Sequence, residues 1–221
     1  MYFRAKNILW IVLICWVLSF ALVSCTKTKT SYWPNGKLKS ELSYHSDKLN
    51  GVCKWYFENG QLQQQADYVD NKLHGSIKHY YETGIISIEG QNFNNLKEGK
   101  FSYFSQSGKL ISSEIYKQDS LNGHCLKYYE SGSLMIDGRY FHNLMDSIWL
   151  FYNVKGEIIG RADFEKGTGI QKSWFPNGKL QRVIHYENNL RNGNEESYSP
   201  DGKIVSVKIF DKGEFVSETM K

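Results

Sequence analysis

The sequence predicts an all-β protein: an elongated, open antiparallel meander of about seven to eight β-hairpin repeats, each 24 residues long. Three observations carry this. Glycines recur at 36, 60, 84, 108, 132, 156, 178 and 202, in steps of 24 with a single step of 22. A second glycine set, at 51, 75, 99, 123, 169 and 193, follows the first by 15 residues in all units but one, where the offset is 13; Ser147 stands at the one missing place. Aromatic residues make up 15% of the chain and prolines number only three, a composition that favours strands. A period of this length signals units too small to bury an apolar face alone, so the core forms between neighbours.

Residues 1–24 read as an address. Arg4 and Lys6 precede an uncharged apolar stretch from Ile8 to Val23, and Ser24 and Cys25 follow, the layout of a secretory signal. The ending LVSC, residues 22–25, resembles the lipobox of bacterial lipoproteins. By that resemblance, cleavage before Cys25 leaves it as the lipidated first residue of the mature chain. The apolar run is also long enough for an uncleaved transmembrane anchor. Both readings put residues 26–221 outside the cytoplasm and tied to a membrane, with residues 25–31 as lipid attachment and a short polar tether. Residue 26 is threonine rather than aspartate. By analogy with sorting in bacteria with two membranes, that favours the outer membrane, facing the periplasm.

The repeat domain is expected over residues 32–221. Two residues after the first glycine stand Leu38, Leu62, Ile86, Leu110, Leu134, Ile158, Leu180 and Ile204. Eight residues after it stand Tyr44, Tyr68, Asn92 (with Phe93 beside it), Tyr116, Tyr140, Phe164, Tyr186 and Phe210. Four residues before the next glycine stand Tyr56, Tyr80, Phe104, Tyr128, Tyr152, Trp174 and Tyr198. Each column keeps its physical type while its residues vary, the mark of packing rather than chemistry, so Tyr56 and Leu62 are expected in the core. The two-residue deletion falls between Phe164 and Gly169, so the link there reads as a loop. Each unit is then two short strands, KLKSELSY and VCKWYF in the first. The positions two and eight after the glycine share parity and are expected on one side of a strand. The Asn-Gly corner needs a positive φ, which glycine or asparagine supplies. The array should hold about fifteen or sixteen strands and run about 70 to 75 Å at ~4.8 Å per strand.

Stretches such as GQLQQQADYVDNKLHGSIKHYYETG, residues 60–84, and GKLISSEIYKQDSLNGHCLKYYESG, residues 108–132, resemble the MORN-type repeat. The variant is the one found in bacterial proteins often labelled YwqK-like antitoxins, and the resemblance covers about residues 32–215. It implies an elongated sheet of β-hairpins and a protein-interaction or scaffold role. The antitoxin label implies toxin neutralisation as the alternative, although a lipid-anchored chain departs from a soluble cytoplasmic antitoxin.

Chemistry is sparse. The chain has 27 basic and 23 acidic residues, and setting aside Arg4 and Lys6 leaves 25 against 23, with no electrostatic case for nucleic acid. The histidines, at 45, 74, 79, 124, 142 and 185, show no zinc-like spacing, so no metal or cofactor is expected. No nucleophile elbow or phosphate loop is present, and the chain is expected not to be an enzyme. Cys53 and Cys125 each stand two residues after a second-set glycine, in a column shared with Ile77, Phe101 and Trp149. Their separation of 72 residues is six strands, roughly 29 Å, so two buried free thiols are expected. One residue before the aromatic column stand Trp55, His79, Tyr103, Lys127 and Phe151, facing opposite to it. That ladder reads either as a grip for a peptide or a glycan or as a second packed face. The functional expectation is a lipid-anchored interaction or scaffold module at the cell envelope with a protein partner; a glycan- or peptide-binding role is the remoter one.

Overall fold

The computed structural model describes residues 26–221, so the expected signal segment and Cys25 lie outside the described residues. The strands are β1 (Lys27–Tyr32), β2 (Leu38–His45), β3 (Lys48–Leu49), β4 (Gly51–Tyr56), β5 (Leu62–Val69), β6 (Lys72–Tyr80), β7 (Ile86–Phe93), β8 (Leu96–Phe104) and β9 (Leu110–Lys117). They continue as β10 (Ser120–Tyr128), β11 (Leu134–Phe141), β12 (Leu144–Tyr152), β13 (Ile158–Glu165), β14 (Thr168–Trp174), β15 (Leu180–Glu187), β16 (Leu190–Tyr198), β17 (Ile204–Asp211) and β18 (Glu214–Met220). All belong to one antiparallel sheet in which, β3 apart, each rung pairs with the next along the chain. β3 and β4 both pair with β2 and form one rung interrupted at Asn50, giving 17 rungs from 18 strands. This exceeds the count expected from the repeat. One reason is that residues 27–31, assigned to the tether, instead belong with Tyr32 to β1, paired along β2 with all six residues exposed.

Two kinds of corner alternate. At the glycine corner, Phe57 N–H donates to the Gln61 carbonyl (2.8 Å) and Gly60 N–H to the Phe57 carbonyl (2.9 Å). Only Gly60, at φ 92, is left-handed there. Asn59 works through its side chain instead: Oδ1 accepts from Gln61 N–H at 2.8 Å, and Nδ2 donates to the Glu82 carbonyl at 3.0 Å, in the next unit. The asparagine is a bracket between repeats, not a second source of positive φ.

The other corner, expected as a loop, is a two-residue turn. Asp70 and Asn71, at φ 48 and 66, join the paired residues Val69 and Lys72. Two successive left-handed residues match the twist of a tight hairpin, and Asn and Asp tolerate that conformation best after glycine. The remaining link residues form a bulge. Between β5 and β6 the register steps from Ala66↔Ile77 to Tyr68↔Leu73, and Gly75 sits in the step at φ 124. Where the chain is two residues shorter, β13 and β14 pair without a shift from Gly160↔Ser173 to Glu165↔Thr168. The deletion therefore removes a bulge and leaves the turn intact. A strand accepts it because two residues are one full period of side-chain alternation.

A smaller bulge adjoins the glycine corner: Trp55 stands opposite Gln64, yet Tyr56 stands opposite Leu62. This one-residue shift moves Leu62 to the face opposite Gln64 and Tyr68. The positions two and eight after the glycine therefore do not share a face, and Tyr56 and Leu62 lie away from the buried clusters. The Tyr56 hydroxyl donates to the Glu41 carboxylate at 2.6 Å, and burial together with that bond pushes its pKa up to about 12.

The core is a row across the other face. One buried cluster contains Ala66, Ile77 and Phe101, and the second contains Cys125, Trp149, Ala162 and Phe164. Large side chains face small ones: a Cβ on Gly90 would lie 2.5 Å from the Phe101 ring, and one on Gly138 2.2 Å from the Trp149 ring. Burying each such ring contributes about 1.5–3 kcal/mol. Neighbouring units are also tied at the two-residue turns. Asn71 donates its N–H to the Leu49 carbonyl (3.0 Å), while its Oδ1 accepts from Leu49 N–H (2.7 Å). Asn95, Asp119 and Asn143 repeat this on Leu73, Lys97 and Leu121. Gly167 has no side chain to do so. Asn189 of the following unit reaches across it, accepting from Met145 N–H and donating to the Asn143 carbonyl, both at 2.8 Å.

Candidate interaction surface

The five ladder residues fall on one continuous row. Trp55 stands between Ser40 and Gln64, His79 between Gln64 and Ile88, and Tyr103 between Ile88 and Ser112. Lys127 stands between Ser112 and Ile136, and Phe151 between Ile136 and Gly160. Successive members are two rungs apart, about 9.6 Å. Each lies two residues after a core-row residue, so the ladder shares the packed face. All five are half-buried. Trp55 and Tyr103 pack on the first cluster and Phe151 on the second. Burial, reinforced by the Lys97 charge, lowers the pKa of His79, so the imidazole is mostly neutral near pH 7.

A third row pairs a ring with an aliphatic chain at four of the two-residue turns: Tyr44↔Leu49, Tyr68↔Leu73, Tyr116↔Leu121 and Tyr140↔Met145. One unit departs in both members at once, with Asn92 opposite Lys97. The Lys97 ammonium lies 4.5 Å from the Tyr116 ring centre and 4.8 Å from that of Phe101, and donates to the Tyr103 hydroxyl at 3.2 Å. Such a contact is worth about 0.5–2 kcal/mol. Tyr116 in turn donates to Glu114 at 2.6 Å, and burial and that bond raise its pKa. The sequence reading noted Asn92 as an irregular column member and missed Lys97. The available signal was the simultaneous change of two columns in one unit.

Cys53 and Cys125 are buried free thiols in the core row. Burial raises both, Cys125 to about 11, which makes them poor nucleophiles near neutral pH. Among the described residues no group of three His, Cys, Asp or Glu is placed to hold a metal. Beyond Ala162 the core row turns polar: Gln171, Ile184, Glu195 and Lys208 follow in register. The buried Glu195 carboxylate lies 3.0 Å from Arg191 and 3.7 Å from Arg182. Arg191 approaches Oε2 as an ion pair without hydrogen-bond alignment.

A family model described as a MORN repeat variant matches residues 27–46, 49–70, 73–95, 97–118, 121–143 and 168–188, together more than half of the chain. The stretch between the last two matches contains Ser147 and β13, the first strand of the bulge-free hairpin. No curated protein matches the chain. Among solved structures, a chain of the one titled "Crystal Structure of TcdB2-TccC3-Cdc42" aligns with 96% of this chain at 12% identity and a TM-score of 0.24. This chain spans 13% of that one's length, and so distant a likeness carries no argument.

Proposed function

Because the chain belongs to the family of MORN repeat variants, we propose that it is a lipid-anchored interaction module whose repeat sheet binds or scaffolds other proteins at the cell envelope. MORN repeats commonly mediate protein or membrane interactions. The observation that carries the protein-binding reading is the half-buried aromatic ladder on a one-layer sheet. Trp55, Tyr103 and Phe151 each set one side against the core and the other toward solvent. Aromatic anchors in that situation dominate binding energetics. On this reading the chain binds rather than catalyses. The anchor is the lipid on Cys25, and its address is the outer membrane facing the periplasm.

Two experiments test it. Cys25→Ala should abolish incorporation of labelled fatty acid; retained labelling sinks the lipid anchor. The full chain should capture envelope proteins from a membrane extract, and Trp55→Ala with Phe151→Ala should reduce that capture about tenfold or more. Capture unaffected by the pair removes the ladder from the reading. A single stoichiometric, tightly held partner would replace scaffolding with neutralisation.

A further inference from the structure

β18 is where the molecule leaves most unsatisfied. All seven of its residues are exposed, with Phe215, Val216 and Met220 at 57, 57 and 72%. It pairs with β17 on one side, and among the described residues nothing pairs with the other. The two ends of the sheet are not alike. β1 carries Lys27 and Lys29, charges of the kind that keep an edge from pairing, whereas β18 has neither lysine nor proline from Glu214 to Met220. Lys221 N–H donates inward to the Val205 carbonyl at 3.0 Å. Bonding alternates along an antiparallel ladder, so Thr219 and Ser217 also bond inward, while the N–H and carbonyl of Glu218 and Met220 point to the open edge.

The array itself shows what the missing neighbour should carry. One unit earlier, Glu195 meets Lys208 on the strand that follows it. Glu218 is the same-row residue on β18. It meets Lys208 on its inner side, at 3.9 Å between charged groups, and among the described residues no strand pairs with its outer side. Met220 and Phe215 stand opposite Ser206 and Phe210, on the same face as Glu218.

We propose that the open edge of β18 receives an extended strand of a partner protein, paired antiparallel, with Lys or Arg opposite Glu218 and an apolar side chain beside Phe215. This rests on the interaction reading above and adds to the ladder face a second site, at one edge and for one strand chemistry. Main-chain pairing supplies the affinity, and the Glu218 charge selects the register.

The test uses the full chain in detergent and a synthetic peptide of residues 203–211, KIVSVKIFD, the strand that meets β16 in the same way through Lys208. The peptide is expected to bind, and Glu218→Lys in the chain to weaken it about tenfold. The peptide carrying Lys208→Glu should recover binding to the Glu218→Lys chain, which a structural defect would not allow. Met220→Pro, which removes an outward N–H, should abolish binding while leaving the unfolding midpoint within a few degrees. No binding by the native chain, or binding indifferent to both substitutions, overturns the proposal. So does self-association without peptide that Met220→Pro abolishes, since the edge then belongs to a second copy. Peptide failure with envelope capture intact overturns the edge alone; failure of capture overturns the broader reading.

Discussion

From Cys53 to Ala162 the row across the packed face is mostly apolar and matched by size; from Gln171 to Glu218 it is polar and matched by charge. In the first region Gly138 makes room for Trp149, and in the second Glu195 sits among Arg182 and Arg191. The ladder row changes with it, from Trp55, Tyr103 and Phe151 to Ser173, Arg182, Ser197 and Ser206. The strands, the glycine corners and the two-residue turns continue across the change. The repeat is therefore specified by its corners and bulges, and the filling between rungs varies within that frame. The ladder ends where the filling changes, which confines the proposed binding face to the apolar region.

The largest effect should come from the first region. Trp149 is 5% exposed, packs edge-on against Tyr140 and Phe164, and donates its indole N–H to the Arg139 carbonyl at 3.1 Å. Trp149→Ala is expected to destabilise by about 3–5 kcal/mol, read as a shift of the urea midpoint and unaffected by salt. A loss below about 1 kcal/mol would mean that size matching contributes little there. The second region should respond differently. Glu195→Ala leaves Arg182 and Arg191 without their carboxylate, but both arginines are nearly half exposed and regain water. The expected loss is about 1–2 kcal/mol at low salt, shrinking at about 1 M salt. An equal loss at both salt concentrations would show that charge matching is not what holds these rungs.

The sequence showed the frame far better than the filling. The 24-residue period was readable because each turn glycine answers a local demand, such as the positive φ of Gly60. The burial of Cys53 and Cys125 followed from their column. The faces were less readable. A bulge leaves no residue signature as plain as a turn, so Leu62 and Tyr68 looked coplanar when a register shift separates them. The same blindness turned the deletion near Gly169 into a shortened loop. For the ladder, the spacing of two residues from Cys53 to Trp55 and from Trp149 to Phe151 already put it on the packed face, and reading it against Tyr56 as the core column hid this. Lys97 was missed because its role depends on Asn92, a residue on another strand.

Gly167, at the junction of the two regions, tests how they are joined. Its Cβ would lie 2.8 Å from Asn189 Oδ1 and 2.9 Å from Asn189 N, at φ +80. Gly167→Ala should cost about 1–3 kcal/mol in unfolding free energy. Adding Asn189→Ala should recover only part of it, because the backbone nitrogen stays. Full recovery would place the whole conflict in the Asn189 side chain.

The smallest effect should have the opposite sign. Ser147 occupies the bulge position held by glycine in other units and takes φ 61, where Gly51, Gly99 and Gly193 have φ 94, 75 and 85. A left-handed conformation costs a residue with a Cβ roughly 1–2 kcal/mol, and glycine forfeits about 0.4–1 kcal/mol of that through its freer unfolded chain. The serine hydroxyl donates to Asp146 at 2.9 Å in solvent, a bond that water replaces. Ser147→Gly is thus expected to stabilise by about 0.5–1 kcal/mol in the thermal or urea midpoint. Gly99→Ser is the reciprocal change at a site where a Cβ meets nothing within 4 Å, so it should lose a similar amount. Gly123→Ser should lose more, because there the Cβ also meets Ile115 at 2.8 Å. If the three changes were indistinguishable, the second glycine set would owe its period to something other than backbone conformation, and the bulge would no longer explain the repeat.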